Sequence, residues 1–225
     1  IIGADNATCF DLNSACTGFL VALNTAQAYL GQQIYRTALV IGAEALSHLT
    51  NWQDRSTCVL FGDGAGAAVV SAEETGVLEL VQKSDGTGKG VLSCKARETR
   101  NLLNHESETK EYLYMEGQPV FKFAVKTVPE CVEEVLKKAE VKKEEIRYYI
   151  LHQANSRIIQ SVAKRLKEPE EKFPMNLSLY GNTSAASIPI LLDEMNRNGL
   201  LNRGDKLVLS GFGAGLTWGA VRLEW

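Results

Sequence analysis

The chain has 225 residues, 45% hydrophobic and 23% charged, enough for one large or two small domains with a sizeable core. Its 24 Lys and Arg face 27 Asp and Glu, a net charge of −3, which excludes a general positive field for nucleic acid and leaves only local basic patches. No apolar run is long enough to span a bilayer, no signal peptide opens the sequence, and five unpaired-looking cysteines suit a reducing cytoplasm.

Ile1-Ile2-Gly3 lacks an initiator Met and reads as the end of a helix, so the expectation is a parent that continues N-terminal to it. Thr8 to Leu12 is predicted as a short strand, switching to a helix from about Thr17 to Leu30. That helix is almost uncharged and apolar on nearly every side, hence buried on nearly every side. Thr37 to Ile41 reads as a strand with both faces covered, as in a parallel sheet. Cys58 to Leu60 and Ala67 to Ser71 are predicted strands separated by a glycine turn at 62–66. Residues 84–116 are polar and glycine-containing, a surface excursion or a cover for a site, with one aromatic strand at Tyr112 to Met115.

Pro119 opens a predicted amphipathic helix reaching about Ala139. There follow a solvated charge run at 142–147, a buried strand Tyr148 to Leu151, a helix 155–167, a loop 176–182, a helix 184–198, and strands 206–210 and 217–224. The alternation of strands and helices defines an α/β fold. Sliding the chain by 169 residues lays helix 17–30 on helix 186–199 and Val40-Ile41-Gly42 on Leu209-Ser210-Gly211, a pattern expected of two similar βαβ-rich halves.

Cys16 stands at the junction of a predicted strand and a buried helix, where unpaired N–H groups and the positive end of the helix dipole favour a thiolate. Free cysteines are commonly small buried hydrophobes, and Cys9, Cys58, Cys94 and Cys131 are read that way. His152 ends the strand 148–151, at the carboxyl edge where sites form in open α/β sheets. His48 and His105 lie in polar stretches and carry no such signal; none of the histidines or cysteines has metal-ligand spacing. Asn182 alone reads as an N-cap or turn residue. The glycine turns 62–66 and 211–215 each precede a strand rather than the helix a pyrophosphate needs, so dinucleotide binding is excluded; 211–215 reads instead as backbone able to offer N–H groups to an oxyanion.

The order Cys16, His152, Asn182 is also that of papain-like cysteine proteases. Against this, the Cys-Gly-Ser-Cys-Trp type of context is absent, Phe10 stands six residues before Cys16 where an oxyanion-hole Gln would be, and the alternating α/β pattern is wrong. Five ordered motifs give the other reading. Ser14-Ala15-Cys16-Thr17-Gly18, Phe61 to Ala68, His152-Gln153-Ala154-Asn155, Gly181 to Pro189 and Gly213 to Gly219 together resemble the β-ketoacyl-[acyl-carrier-protein] synthase III family, from about residue 8 to 225.

The resemblance implies a thiolase-like fold, two similar halves in an αβαβα layering, with the first third of the family's length absent. The first half would then be represented by 1–78, carrying Cys16, and the second by 79–225, carrying His152 and Asn182. It also implies decarboxylative condensation of an acyl-CoA with malonyl-carrier protein in a cytoplasmic homodimer, without metal or other cofactor. Cys16 would carry the acyl group, with backbone N–H groups of Cys16, Gly213 and Ala214 holding the oxyanion. His152 and Asn182 would stabilise the enolate; elongating relatives use two histidines, so Asn182 implies the initiating type. Arg55, Gly117, Phe121, Ala154, Asn155 and Ile158 match positions lining the CoA or pantetheine channel. Gln153, Ala154, Asn155, Ser156 and Arg157 match the carrier-protein contact, with Lys164 and Arg165 extending a basic patch toward an acidic partner. The family's adenine-binding residues and a dimer-partner residue of its acyl pocket have no match here, so a catalytically inert fragment stands as a further alternative.

Overall fold

The computed structural model describes residues 2–73, 78–94 and 112–225. Helices make the scaffold around the buried strands. Helix α1 (Gly18–Gly31) buries Phe19, Leu20, Leu23, Ala26 and Leu30. Helix α2 (Gly117–Lys138) places Val120, Ala124, Val128, Cys131, Val132, Val135 and Leu136 at three- and four-residue spacings, one continuous apolar stripe. Helix α3 (Ser156–Leu166) is capped by Asn155, whose side chain accepts from the Arg157 N–H, and presents Ile158, Ile159, Val162, Ala163 and Leu166 inward. A single turn, α4 (Leu177–Tyr180), precedes α5 (Ser187–Arg197).

Strands β1 (Thr37–Ala45) and β2 (Asp63–Ser71) pair antiparallel as one sheet. A second sheet runs β3 (Glu79–Ser84), β8 (Thr217–Glu224), β7 (Lys206–Gly213), β6 (Tyr148–Leu151), with β6 and β7 parallel and the other pairs antiparallel. Short strands β4 (Leu92–Ser93) and β5 (Tyr114–Met115) form a separate ribbon. Side chains alternate across β6, β7 and β8 and so divide the core in two. Ile150, Leu207, Leu209 and Val221 join α1, α5 and Val40 between the two sheets. Tyr149, Leu151, Val208, Phe212 and Ala220 join α2 and α3 on the other face. The described residues thus stack as sheet, helices, sheet, helices, the thiolase-like order expected.

The internal echo is present in coordinates at the same 169-residue offset. Three-residue 3-10 turns start at Ala15 and Ser184, helices at Gly18 and Ser187, and strands at Thr37 and Lys206. Ala15 (φ 46°) and Ser184 (φ 49°), equivalent under that offset, are both left-handed non-glycine residues, a conformation that persists only where surrounding contacts enforce it.

Four expectations are corrected. Residues 8–12 form no strand, because none among the described residues pairs with them, and Phe10 and Leu12 are exposed. Strand β1 is antiparallel and covered on one face only, leaving Leu39 and Ile41 exposed. The 62–66 glycines are not a turn between strands: β2 begins at Asp63, and 58–60 is not a strand. Glycine is needed there for close approach, since a Cβ on Gly66 would lie 2.8 Å from the Ile190 nitrogen of α5. Finally, the strand at 112–115 shortens to β5, while the rest of the proposed cover from 95 to 111, with His105, lies outside the described residues.

Candidate active site

Cys16 sits in the 3-10 turn Ala15–Thr17 that feeds α1. Hydroxyls tie this turn to the turn between β7 and β8: Thr17 Oγ1 lies 2.8 Å from Ser14 Oγ and 2.9 Å from Thr217 Oγ1, and Thr217 donates to the Ala214 carbonyl at 3.0 Å. The end of β7 presses on the cysteine. A Cβ on Gly213 would stand 2.9 Å from both the Cys16 nitrogen and its Cβ, so only glycine lets the two segments meet. A Cβ on Gly211 would lie 3.5 Å from the His152 Cβ and 3.6 Å from the Cys16 carbonyl oxygen, which puts His152 and Cys16 on either side of one residue.

Strand β6 delivers His152 to that place. Its N–H continues the parallel ladder by donating to the Ser210 carbonyl at 2.8 Å, and its ring packs edge-on against Phe212, centroids 5.6 Å apart. Asn182 arrives on the loop before the Ser184–Ala186 turn. Its N–H donates to Leu60 O at 2.7 Å and its carbonyl accepts from Gly62 N–H at 3.0 Å. Its side-chain Oδ1 accepts from Ser184 N–H at 2.8 Å. A backbone N–H can only donate, so Oδ1 is fixed inward and the Asn182 amide protons are left to donate elsewhere. Ser184 also acts on the Cys16 thiol, whose value it lowers. His152 and the Cys16 backbone thus meet at Gly211, Asn182 is held at the turn that begins at Ser184, and all three residues are buried, at 9% for Cys16, 2% for His152 and 8% for Asn182.

Electrostatics here follow burial. The Cys16 thiol is pushed up to about 11 by desolvation; the Ser184 hydrogen bond opposes this and the Glu44 carboxylate adds to it. Burial thus works against the thiolate that a position just before α1 favours. Burial also takes His152 down to about 4, so the imidazole is neutral at pH 7. The folded value lies below the ordinary His value, so the unfolded chain binds this proton more readily, and stability falls as pH drops from about 6.5 to 4. Acid unfolding measured against His152→Gln should therefore show about 3 kcal/mol of pH-dependent loss in the wild type that the variant lacks.

The remaining sequence-predicted residues divide. Phe121, Ala154 and Ile158 meet in the core cluster under α2 and α3, and Gly117 begins α2 beside them. Arg55 is exposed in the loop before Phe61, and Asn155 serves as the α3 cap. On α3, Arg157, Lys164 and Arg165 are exposed and Ser156 half-buried, with Arg165 also donating to Val125 O at 2.9 Å. Gln153 is a correction. It is 1% exposed, donates to Leu151 O at 2.8 Å and accepts from Asn176 N–H at 3.1 Å, so its side chain braces the loop and is not on a docking surface. Sequence reasoning passed over Glu44, whose carboxylate accepts from Ala185 N–H at 3.3 Å, and Ser184 and Ser187, which stood in a quoted motif without a role. A lone carboxylate inside the small-residue run of β1 was the available signal for Glu44.

Layering and the duplicated turns define a thiolase-like α/β protein, and solved structures agree. Against 3-oxoacyl-[acyl-carrier-protein] synthase III of Aquifex aeolicus the TM-score is 0.89 at 43% identity, covering 99% of this chain and 68% of that one. The priming β-ketosynthase of the R1128 polyketide pathway gives 0.88 at 36% identity, covering 99% and 67%. The family model of 3-oxoacyl-[acyl-carrier-protein] synthase III matches residues 10–86, and that of its C-terminal part matches 136–225. β-Ketoacyl-[acyl-carrier-protein] synthase III of Clostridium acetobutylicum is 51% identical over 229 residues, which span all of this chain and 70% of the relative. The chain belongs to the β-ketoacyl-[acyl-carrier-protein] synthase III family, acyltransferases that act as condensing enzymes in fatty-acid synthesis. Among the described residues no helix is long and apolar enough to cross a membrane, and no cluster of metal ligands occurs.

Proposed function

We propose that the protein joins an acyl-CoA primer to malonyl-acyl-carrier protein by decarboxylative Claisen condensation, through an acyl group held on Cys16. The reading is supported by a buried cysteine whose backbone meets His152 at Gly211, and by two buried neutral side chains, His152 and Asn182, that can donate hydrogen bonds without bringing a positive charge. In the first half-reaction the Cys16 sulfur bonds to the acyl carbon, the CoA thiolate leaves with the cysteine's proton, and backbone N–H groups of Cys16, Gly213 and Ala214 receive the oxyanion. In the second, the malonyl thioester loses carbon dioxide and its electron pair spreads onto the thioester oxygen. His152 and Asn182 stabilise that enolate, whose carbon attacks the acyl-cysteine and releases the thiolate. A cation at the site would hold the malonyl carboxylate in the ground state, which gives no preference for the transition state.

In this reading the halves meet at 78/79, the protein works as a cytoplasmic homodimer without a cofactor, and the exposed Arg157, Lys164 and Arg165 face an acidic carrier protein. Phe121, Ala154 and Ile158, with Gly117, Asn155 and Arg55 nearer the surface, line the pantetheine path. Incubation with acetyl-CoA followed by intact-mass measurement should add one acetyl group, mapped to the peptide containing Cys16. Acylation at Cys9 or Cys58, or cleavage of peptide substrates, would overturn the proposal.

A further inference from the structure

The buried contact behind His152 has a definite direction. Ser187, the first residue of α5, is 2% exposed, and its Oγ lies 2.7 Å from His152 Nδ1. The same Oγ accepts the Gln153 N–H at 3.3 Å. An N–H can only donate, so one lone pair of the hydroxyl is already used and its proton still needs an acceptor. Among the described residues no backbone carbonyl takes that proton; His152 Nδ1 is the partner it has. If Nδ1 carried a hydrogen instead, the Ser187 proton would be left buried without an acceptor, a state that folded proteins avoid.

We infer that Ser187 is a positioning residue that holds His152 in the tautomer with Nδ1 bare and the proton on Nε2, so that His152 can act as a donor. Which nitrogen carries the proton is set by the bond the other one makes. Here the setting is done by a neutral hydroxyl rather than a carboxylate, so the imidazole is oriented without being made more basic. It remains a neutral donor, which suits an enolate that must be stabilised and not protonated on carbon. Phe212 holds the ring plane edge-on, and Ser187 fixes which edge carries the hydrogen. Asn182 is set by the same logic, through the Ser184 N–H, so the 184–187 segment orients both side chains.

The role assigned to the donor rests on the proposed condensation, but the tautomer does not, and the test separates them. Nitrogen-15 spectra of histidine-labelled protein, with His152 assigned by comparison with His152→Gln, should show Nδ1 unprotonated and Nε2 protonated at pH 7. Ser187→Ala should give a mixture of the two tautomers. It should also lower malonyl-thioester decarboxylation about tenfold, the worth of one buried hydrogen bond, while acetylation of Cys16 is retained, and Ser187→Thr should restore both readouts. A wild-type spectrum with the proton on Nδ1, or a Ser187→Ala spectrum identical to wild type, overturns the inference. So does an equal fall in both half-reactions, which would mark Ser187 as merely structural. A wild-type spectrum as expected, with no decarboxylation by any form, leaves the tautomer assignment standing and defeats the proposed function.

Discussion

Cys16→Ala should abolish acyl transfer from acyl-CoA while leaving slow decarboxylation of the malonyl thioester measurable. Removing a covalent nucleophile removes the intermediate itself, so the loss in condensation should be on the order of 10⁴-fold or more. No other cysteine is placed to substitute. Cys131, the second buried thiol, lies on α2 against the Val81 carbonyl, and burial pushes it up to about 12. Cys9 is exposed, away from the enclosed site. The donors His152 and Asn182 remain in the variant, and their contacts to Ser187 and Ser184 do not pass through the sulfur. A raised thiol value adds a pH signature. At about 11 only roughly one thiol in 10⁴ is ionised at pH 7, so alkylation of Cys16 by iodoacetamide should climb about tenfold per pH unit from neutrality to above pH 9. A plateau near pH 7 would mean that the dipole of α1 or a partner base outweighs desolvation, and Cys16→Ala supplies the blank for the measurement. Loss of decarboxylation in Cys16→Ala equal to the loss of acyl transfer would mean that the two half-reactions are not separable in the way the site's geometry suggests.

The parts of this fold that were legible in the sequence are those written in local patterns. The stripe of α2 is a periodicity of three and four, and it survives in the structure with its start moved from Pro119 to Gly117. The duplication was legible because turn, helix and strand recur at one offset, and three element starts keep that offset to the residue. Apolar runs report avoidance of water but not the partner that provides it. Thr8 to Leu12 therefore looked like a strand with nothing beside it to pair with, and β1 looked doubly covered although one face is open. Glycines were misread for a related reason: Gly66 is small because Ile190, more than a hundred residues away, passes within contact of it. The place of His152 at the end of a buried strand was legible, whereas Cys16 precedes its helix without the strand expected before it. Ser187 and Glu44 were not legible, since each acts through one contact, 35 and 141 residues distant in sequence, that no local pattern encodes.

Asn182→Ala should leave acetylation of Cys16 nearly unchanged and lower decarboxylation by about 10²–10³-fold, equivalent to about 3–4 kcal/mol. The reasoning follows the charge. In the proposed mechanism, acylation develops its negative oxygen next to backbone N–H groups at Cys16 and the β7 end, two segments that meet closely at Gly213. Decarboxylation develops it on a different thioester oxygen, which the proposal assigns to the side chains of His152 and Asn182. Asn182 is prepared for this before substrate arrives, since its Oδ1 is held by Ser184 and its amide protons are uncommitted among the described residues. Preorganisation of that kind is why one donor to a developing oxyanion has so large an effect. Truncation to Ala also removes the Ser184 anchor, and Ser184 influences the Cys16 thiol, so a structural effect has to be separated from a chemical one. Asn182→Asp does this. It keeps an oxygen for the Ser184 N–H but replaces the donor by a second acceptor, so acylation should be preserved and decarboxylation lost at least as fully as in Asn182→Ala. Rates of the two half-reactions, read separately by intact mass and by release of carbon dioxide, decide the matter: a variant in which acylation fails while decarboxylation persists would reverse the roles assigned to Asn182 and the backbone N–H groups.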